Sequence, residues 1–265
     1  MPLEPRTGRM RAAPRSLDLP PPFRLVVLRE VGDAFAHACA HAGELGAGTL
    51  VFVGRFDLAE FAVVLEPDEK LTAARLAFYA CMAALGDALA GCAPPEQPIA
   101  IKWPDTIEVD RGLVGGGRLA WPDDSAEEAV PAWLVFGAMI RTVSVSATEA
   151  GLYPLATALA DEGFDDVGAE RLAESFARHL MAAIDRWQES GFAAITRDYL
   201  SKLVPESGIR REIAENGDLN IHLPGDMVEH RKLVPALQTP AWLDPKTGGP
   251  SLDRPGMASA QGVRG

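Results

Sequence analysis

Basic side chains are scarce in this 265-residue sequence. Its 25 Lys and Arg face 37 Asp and Glu, giving a formal net charge of −12 at pH 7 and a pI near 4.9. Binding to a phosphate backbone or an anionic membrane needs clustered Lys and Arg. Nucleic acid and membrane are therefore excluded as partners, and a small molecule or another protein is expected. Cysteine is scarcer still. Cys39, Cys81 and Cys92 are an odd number in a large chain, which fits a reducing cytosol and not a disulfide framework, and all three read as small apolar residues. Long hydrophobic runs are missing as well: no stretch reaches the roughly 18 to 20 apolar residues that span a bilayer. The N-terminus also lacks the apolar region of a signal peptide, so a soluble, cytoplasmic protein is expected. No phosphate-loop pattern of Gly-Lys-Ser/Thr occurs, nor a glycine fingerprint between strand and helix. His37 and His41 share a helix face four residues apart, but no Glu or third ligand follows at a metalloprotease spacing, so no metal is expected.

What the sequence does have is 48% hydrophobic residues, enough for one sizeable core and a small second domain. Residues 1–22 carry Arg6, Arg9, Arg11 and Arg15 among prolines and read as a disordered arm. FRLVVL, 23–28, reads as a strand. The Ala-rich segment after it reads as a helix with Asp33 as N-cap and Gly46 and Gly48 as its stop. TLVFV, 49–53, and EFAVVL, 60–65, are neighbouring strands with Arg55 at the tip of their link. Phe78, Met82, Leu85 and Leu89 recur at helical spacing and predict one long helix over 71–89. AWLVFGAMIRTVSV, 132–145, predicts a strand of about a dozen residues holding Gly137 and Arg141. A lobe passes through Asp161 and Asp166 into a helix striped by Leu172, Phe176, Leu180, Ile184 and Trp187, and a shorter helix follows over 192–203. Asn216-Gly217 marks a hairpin within a small β domain at 205–238, and the Pro- and Gly-rich 239–265 reads as a flexible tail. This order of elements is α+β: a mixed, largely antiparallel sheet with helices packed on one face.

Chemistry concentrates in IAIKWPDTI, 99–107. A cation, a large aromatic, a ring with fixed φ and a carboxylate in direct succession are costly in a core strand. That cost marks Lys102, Trp103, Pro104 and Asp105 as a site. Gly115, Gly116 and Gly117 follow after a turn; three glycines admit close approach of a ligand or a strand, so they are a substrate-facing strand or a bulge. Arg141 is either an edge residue in water or one facing an anionic ligand.

KWPDTI resembles the KWPND segment of biotin protein ligases, and its neighbours agree. DRGLVGGG stands where that family has a turn and a KLAGIL-like strand, and FGAMIRT where it has a GIGIN-like strand. RWQESGFAAITRDYL, 186–200, is similar to its WEEEGF-type segment, which precedes a small β domain. The similarity runs from Phe23 to Leu237 and identifies the chain as a divergent member of the biotin/lipoate ligase and lipoyl (octanoyl) transferase superfamily, with a ligase-like domain at 23–204. The resemblance implies activation of biotin, lipoate or a fatty acid with ATP and Mg2+ as an acyl-adenylate, then transfer to a lysine of a carrier domain. In that scheme Lys102 and Arg141 offset negative charge. Trp103 walls an apolar tail or stacks on a base, and Pro104 rigidifies the turn. Asp105 holds Mg2+ or takes a proton from the incoming amine, while Arg55 and the three glycines line the substrate.

The departures from the family pattern are equally specific. The arginine-rich loop over the adenylate has shrunk to VGRFD, which keeps only Gly54 and Arg55. Gly112 stands where KLAGI opens with lysine, Asp105-Thr106 replaces Asn-Asp, Arg141 replaces the asparagine of GIGIN, and Val31-Gly32-Asp33 replaces Ser-Thr-Asn. No cysteine has the context of the octanoyl transferase nucleophile. The alternative is therefore a catalytically inactive ligase-like protein that binds a small acid or a carrier domain.

Overall fold

The computed structural model describes residues 16–144, 156–165 and 167–252. Its main sheet has seven strands: β1 (Arg24–Leu28), β2 (Thr49–Gly54), β3 (Leu58–Leu65), β4 (Ile99–Lys102), β5 (Thr106–Val109), β6 (Gly112–Ala120) and β7 (Leu134–Arg141). They lie in the order β1-β2-β3-β7-β6-β5-β4. Only β1 with β2 is parallel; the other neighbours pair antiparallel. A parallel pair needs a crossover, and α1 (Ala34–Leu45) supplies it. Asp33 caps this helix as expected, its Oδ1 accepting from Ala36 N at 2.8 Å.

Successive side chains on a strand point to opposite faces. Phe52, Phe61, Val63 and Phe136 thus meet α3 (Ala77–Ala90), α4 (Ala169–Ser190) and α5 (Phe192–Ser201). Val51, Val53, Ala62, Val64 and Val135 meet α1 on the other face. Helices therefore cover both faces, not the single one expected, because the β1–β2 crossover passes over the side opposite α3–α5.

The helix expected over 71–89 is two pieces, α2 (Leu71–Ala74) and α3. Between them the backbone tightens to three-residue bonds, Leu76 N to Ala73 O and Phe78 N to Arg75 O, and the Arg75 side chain pairs with Glu127. Taken together, Leu71–Ala90 is long and apolar enough to cross a membrane, contrary to the reading from sequence, and most of it is buried inside the fold. β7 is eight residues and stops at Arg141. Thr142 turns away to the β2–β3 link, its N bonding Asp57 O at 2.9 Å and its Oγ1 bonding Phe56 O at 2.7 Å. Val145, the last residue of the expected strand, and Asp166 lie outside the described residues.

A separate antiparallel sheet, β10-β9-β8, follows from β8 (Arg210–Ile213), β9 (Leu219–Leu223) and β10 (Met227–Arg231), and α6 (Leu233–Gln238) comes after it. Gly217, in the Asn-Gly turn joining β8 to β9, has φ +87°, a conformation that favours glycine.

Two expectations about the ends change. Residues 16–22 belong to the segment read as a disordered arm, yet Leu17 and Leu19 pack on the core and Asp18 N donates to Glu174 of α4 at 2.8 Å. Residues 239–252 were expected to open a flexible tail, yet Trp242 is wholly buried. Proline in the first segment, and proline with glycine in the second, suppress regular structure without preventing apolar side chains from docking. Residues 1–15 and 253–265 lie outside the described residues.

Candidate functional site

The β4–β5 hairpin presents the KWPDT cluster. Lys102 ends β4 opposite Thr106; it is exposed and has no hydrogen-bond or ion-pair partner among the described residues. Trp103 is half-buried, and its Nε1 donates to the Tyr79 hydroxyl at 3.1 Å. That hydroxyl in turn donates to Gly217 O at 2.5 Å. Pro104 O accepts from the Tyr199 hydroxyl at 2.8 Å. Tyr79 on α3 and Tyr199 on α5 therefore pin the hairpin from the helical face. Burial raises both phenols above their ordinary range, so they stay neutral donors.

Asp105 is 1% exposed. Its Oδ1 accepts from Thr106 Oγ1 and its Oδ2 from Ala241 N, both at 3.0 Å. Burial pushes its carboxyl up to about 7, against the pull of these bonds and of the Lys102 charge. Neither oxygen is presented to a metal or to an incoming amine. Among the described residues no group of three or more His, Cys, Asp or Glu side chains converges to hold a metal. Mg2+ is therefore not fitted by Asp105 as it stands.

The glycine triplet resolves into a bulge. Ile107 pairs with Gly115 but Glu108 pairs with Leu113, leaving Val114 as the extra residue of β6. Gly115 has φ +152°, and a Cβ on it would fall 1.9 Å from Met139 O. Gly116 and Gly117 then open to opposite faces. At Gly117 a Cβ would strike Met82 and the Phe136 ring, whereas at Gly116 it would lie 2.3 Å from the Trp242 ring. Trp242 Nε1 donates to Gly117 O at 3.0 Å, and its ring packs with Leu58, Leu113 and Met139. The close approach that Gly116 permits is thus that of the chain's own Trp242.

The two arginines are engaged as well. Arg55 forms a two-pronged pair with Asp57 at 3.0 and 2.8 Å. Arg141 donates to Thr157 O at 3.2 Å and to Pro250 O at 2.7 Å. Asp105, Gly116, Gly117 and Arg141 are therefore gathered under residues 241–250, while Arg55 belongs to a second cluster at the start of α1. There Glu60, 3% exposed, accepts from Ala34 N at 2.9 Å, and burial raises its carboxyl above the usual range. Arg118 pairs with Asp33 at 3.2 Å and lies 4.1 Å from the Phe35 ring centroid. Gly137, opposite Arg118 in register, leaves the space that Phe35 fills. Reading the sequence missed Glu60, Arg118 and Trp242. The visible signals were a carboxylate inside the apolar run EFAVVL and a tryptophan inside PAWLDP.

Residues 19–201 match a family model described as the Biotin/lipoate A/B protein ligase family. The chain belongs to that family. Among solved structures, a biotin protein ligase-like protein of unknown function from Silicibacter sp. TM1040 superposes with TM-score 0.70 at 27% identity, over 82% of this chain and 96% of that one. Biotin protein ligase from Aquifex aeolicus superposes with TM-score 0.60 at 17% identity, over 80% and 100%. The same ligase in complex with biotin and ATP gives 0.58 at 16%, over 79% and 99%. No curated protein matches the sequence. The α+β ligase fold expected from KWPDTI and its neighbours is the fold of this family member, including its separate small antiparallel sheet.

Proposed function

We propose that this ligase-family protein binds a carboxylic acid of the biotin, lipoate or fatty acyl class beside Lys102 and activates it or passes it to a lysine of a carrier domain. Lys102 carries the reading. It is the charged residue of KWPDT that is exposed and unpaired among the described residues, and it lies within the 19–201 family match. An exposed ammonium forms a charge-assisted bond with a carboxylate. Trp103, held by Tyr79 through its indole N–H, offers the remaining ring surface to an apolar tail. ATP, when bound, supplies the adenylate. Asp105 in this reading is a positioning residue, buried and bonded through one oxygen to Thr106 and through the other to Ala241. Three unpaired cysteines suit a reducing, cytoplasmic setting.

A second reading, binding without catalysis, is favoured by the engaged Asp105 and by Gly112, which a Thr157 methyl group crowds to 2.5 Å of a Cβ position. ATP–pyrophosphate exchange with a panel of biotin, lipoate and octanoate separates the two. Acid-dependent exchange supports the enzyme. Acid-dependent thermal stabilisation without exchange supports the binder, and neither response ends both readings.

A further inference from the structure

Four residues of the candidate site touch one short segment of the same chain. Ala241 N donates to Asp105 Oδ2, Trp242 fills the space over Gly116 and donates to Gly117 O, and Pro250 O accepts from Arg141. The segment is closed on itself. Ser251 N bonds Trp242 O at 2.7 Å, Gly248 N bonds Asp244 O at 2.8 Å, and Leu243 bridges Pro250 antiparallel. It adds no strand to the main sheet. Its described contacts with the sheet are the packing of Trp242 and Leu243 and separate polar bonds, in contrast to the continuous β6–β7 ladder from Gly115 to Ala120. Elements held in this way open locally while the ladder stays intact.

We propose that residues 240–251 are a detachable strap that occupies the ligand groove and must lift before a carboxylic acid with an apolar tail can enter. With the Trp242 ring gone, the floor is Gly116 with Leu58, Leu113 and Met139 around it. The Arg141 guanidinium, released from Pro250 O, stands at one end. An apolar slot with a cation at its mouth matches a fatty acyl or similar acid, a ligand class that rests on the acid-binding reading above. A strap that is seated most of the time lowers the apparent affinity by the fraction of molecules that are open.

Two full-length variants loosen it. Trp242→Ala removes the anchor. Ala241→Pro removes the N–H given to Asp105 and sets the proline Cδ against that carboxyl, while residue 241, the second position of the Pro240–Leu243 turn whose Leu243 N bonds Pro240 O, is one that proline suits within the segment itself. In the unliganded wild type, the bonded amides of Ala241 and Ser251 are expected to exchange with deuterium about a hundredfold faster than those of Met139 and Ile140. Both variants are expected to bind octanoate about tenfold or more tighter than the wild type. Exchange of the segment at the same rate as β7, or equal octanoate affinity in all three proteins, overturns the strap. If the segment exchanges fast but biotin, lipoate and octanoate bind none of the three proteins, the detachable segment stands and the acid-binding reading falls.

Discussion

Replacing Asp105 with asparagine removes a buried ionisable group while keeping its shape and its bonds. The amide oxygen still accepts from Ala241 N, and the amide N–H2 donates to Thr106 Oγ1 once that hydroxyl reverses its role. The native carboxyl is pushed up to about 7 from 3.8, burial being the largest cause. A folded-state value above the unfolded one means that the folded protein holds its proton longer. The stability this provides is full below the unfolded value and is lost progressively as pH rises, the loss being complete above the folded value. The span of roughly three pH units corresponds to about 4 kcal/mol, of which about 3 kcal/mol falls between pH ~4.5 and pH ~8. Urea unfolding of wild type and Asp105→Asn across that window, taken as a difference so that other titrating groups cancel, is expected to favour the asparagine variant by this amount more at the alkaline end. A difference that stays constant with pH would falsify the buried, proton-holding Asp105 described above.

Further substitutions test the scaffold. Gly116→Ala places a methyl 2.1 Å from Asp105 O and 2.3 Å from the Trp242 ring; the strand must shift, and a loss of about 1–3 kcal/mol is expected in the urea midpoint. Tyr79→Phe removes the donor to Gly217 O and the acceptor for Trp103 Nε1, for an expected cost of about 1–3 kcal/mol. Because Trp103 then loses its tether, its indole N–H, resolved by NMR from those of the other four tryptophans, should exchange faster with solvent, and unchanged exchange counts against that tether. Lys102→Ala, at an exposed strand end, should change stability by less than about 0.5 kcal/mol. A larger loss of thermal stability would mean that Lys102 supports the fold.

Local signals were readable where the interaction itself is local. Asp33 bonds a backbone N–H three residues away, and the Asn216-Gly217 turn closes a two-strand hairpin within its own segment, so residue type and spacing sufficed. The strands of β2 and β3 and the stripe of α4 were readable for the same reason, since burial imposes a period on the sequence. The break at Arg75 was not, because it depends on Glu127, which lies 52 positions further on. Nor was the docking of Trp242. Its seat is Gly116 and Gly117, more than a hundred residues upstream, and nothing within PAWLDP states that such a gap exists. The same limit applied to Arg141, whose type pointed to anion binding but which finds carbonyls of distant segments. Arg55 differs, for its partner Asp57 is two residues away and was within reach of a local reading. Charge is legible from sequence, whereas the partner that consumes it is a property of the fold. KWPDTI succeeded because the family resemblance carried long-range information that periodicity does not.

The central claim is that Lys102 marks an acid site in a ligase-family fold. Native mass spectrometry of wild type and Lys102→Ala, each incubated with biotin, lipoate, octanoate and ATP, tests it most directly. The wild type is expected to gain the mass of one acid or of its acyl-adenylate, and the variant to lose most of that gain. A wild type that gains no mass from any of the acids, or a variant that binds them equally well, would contradict the account.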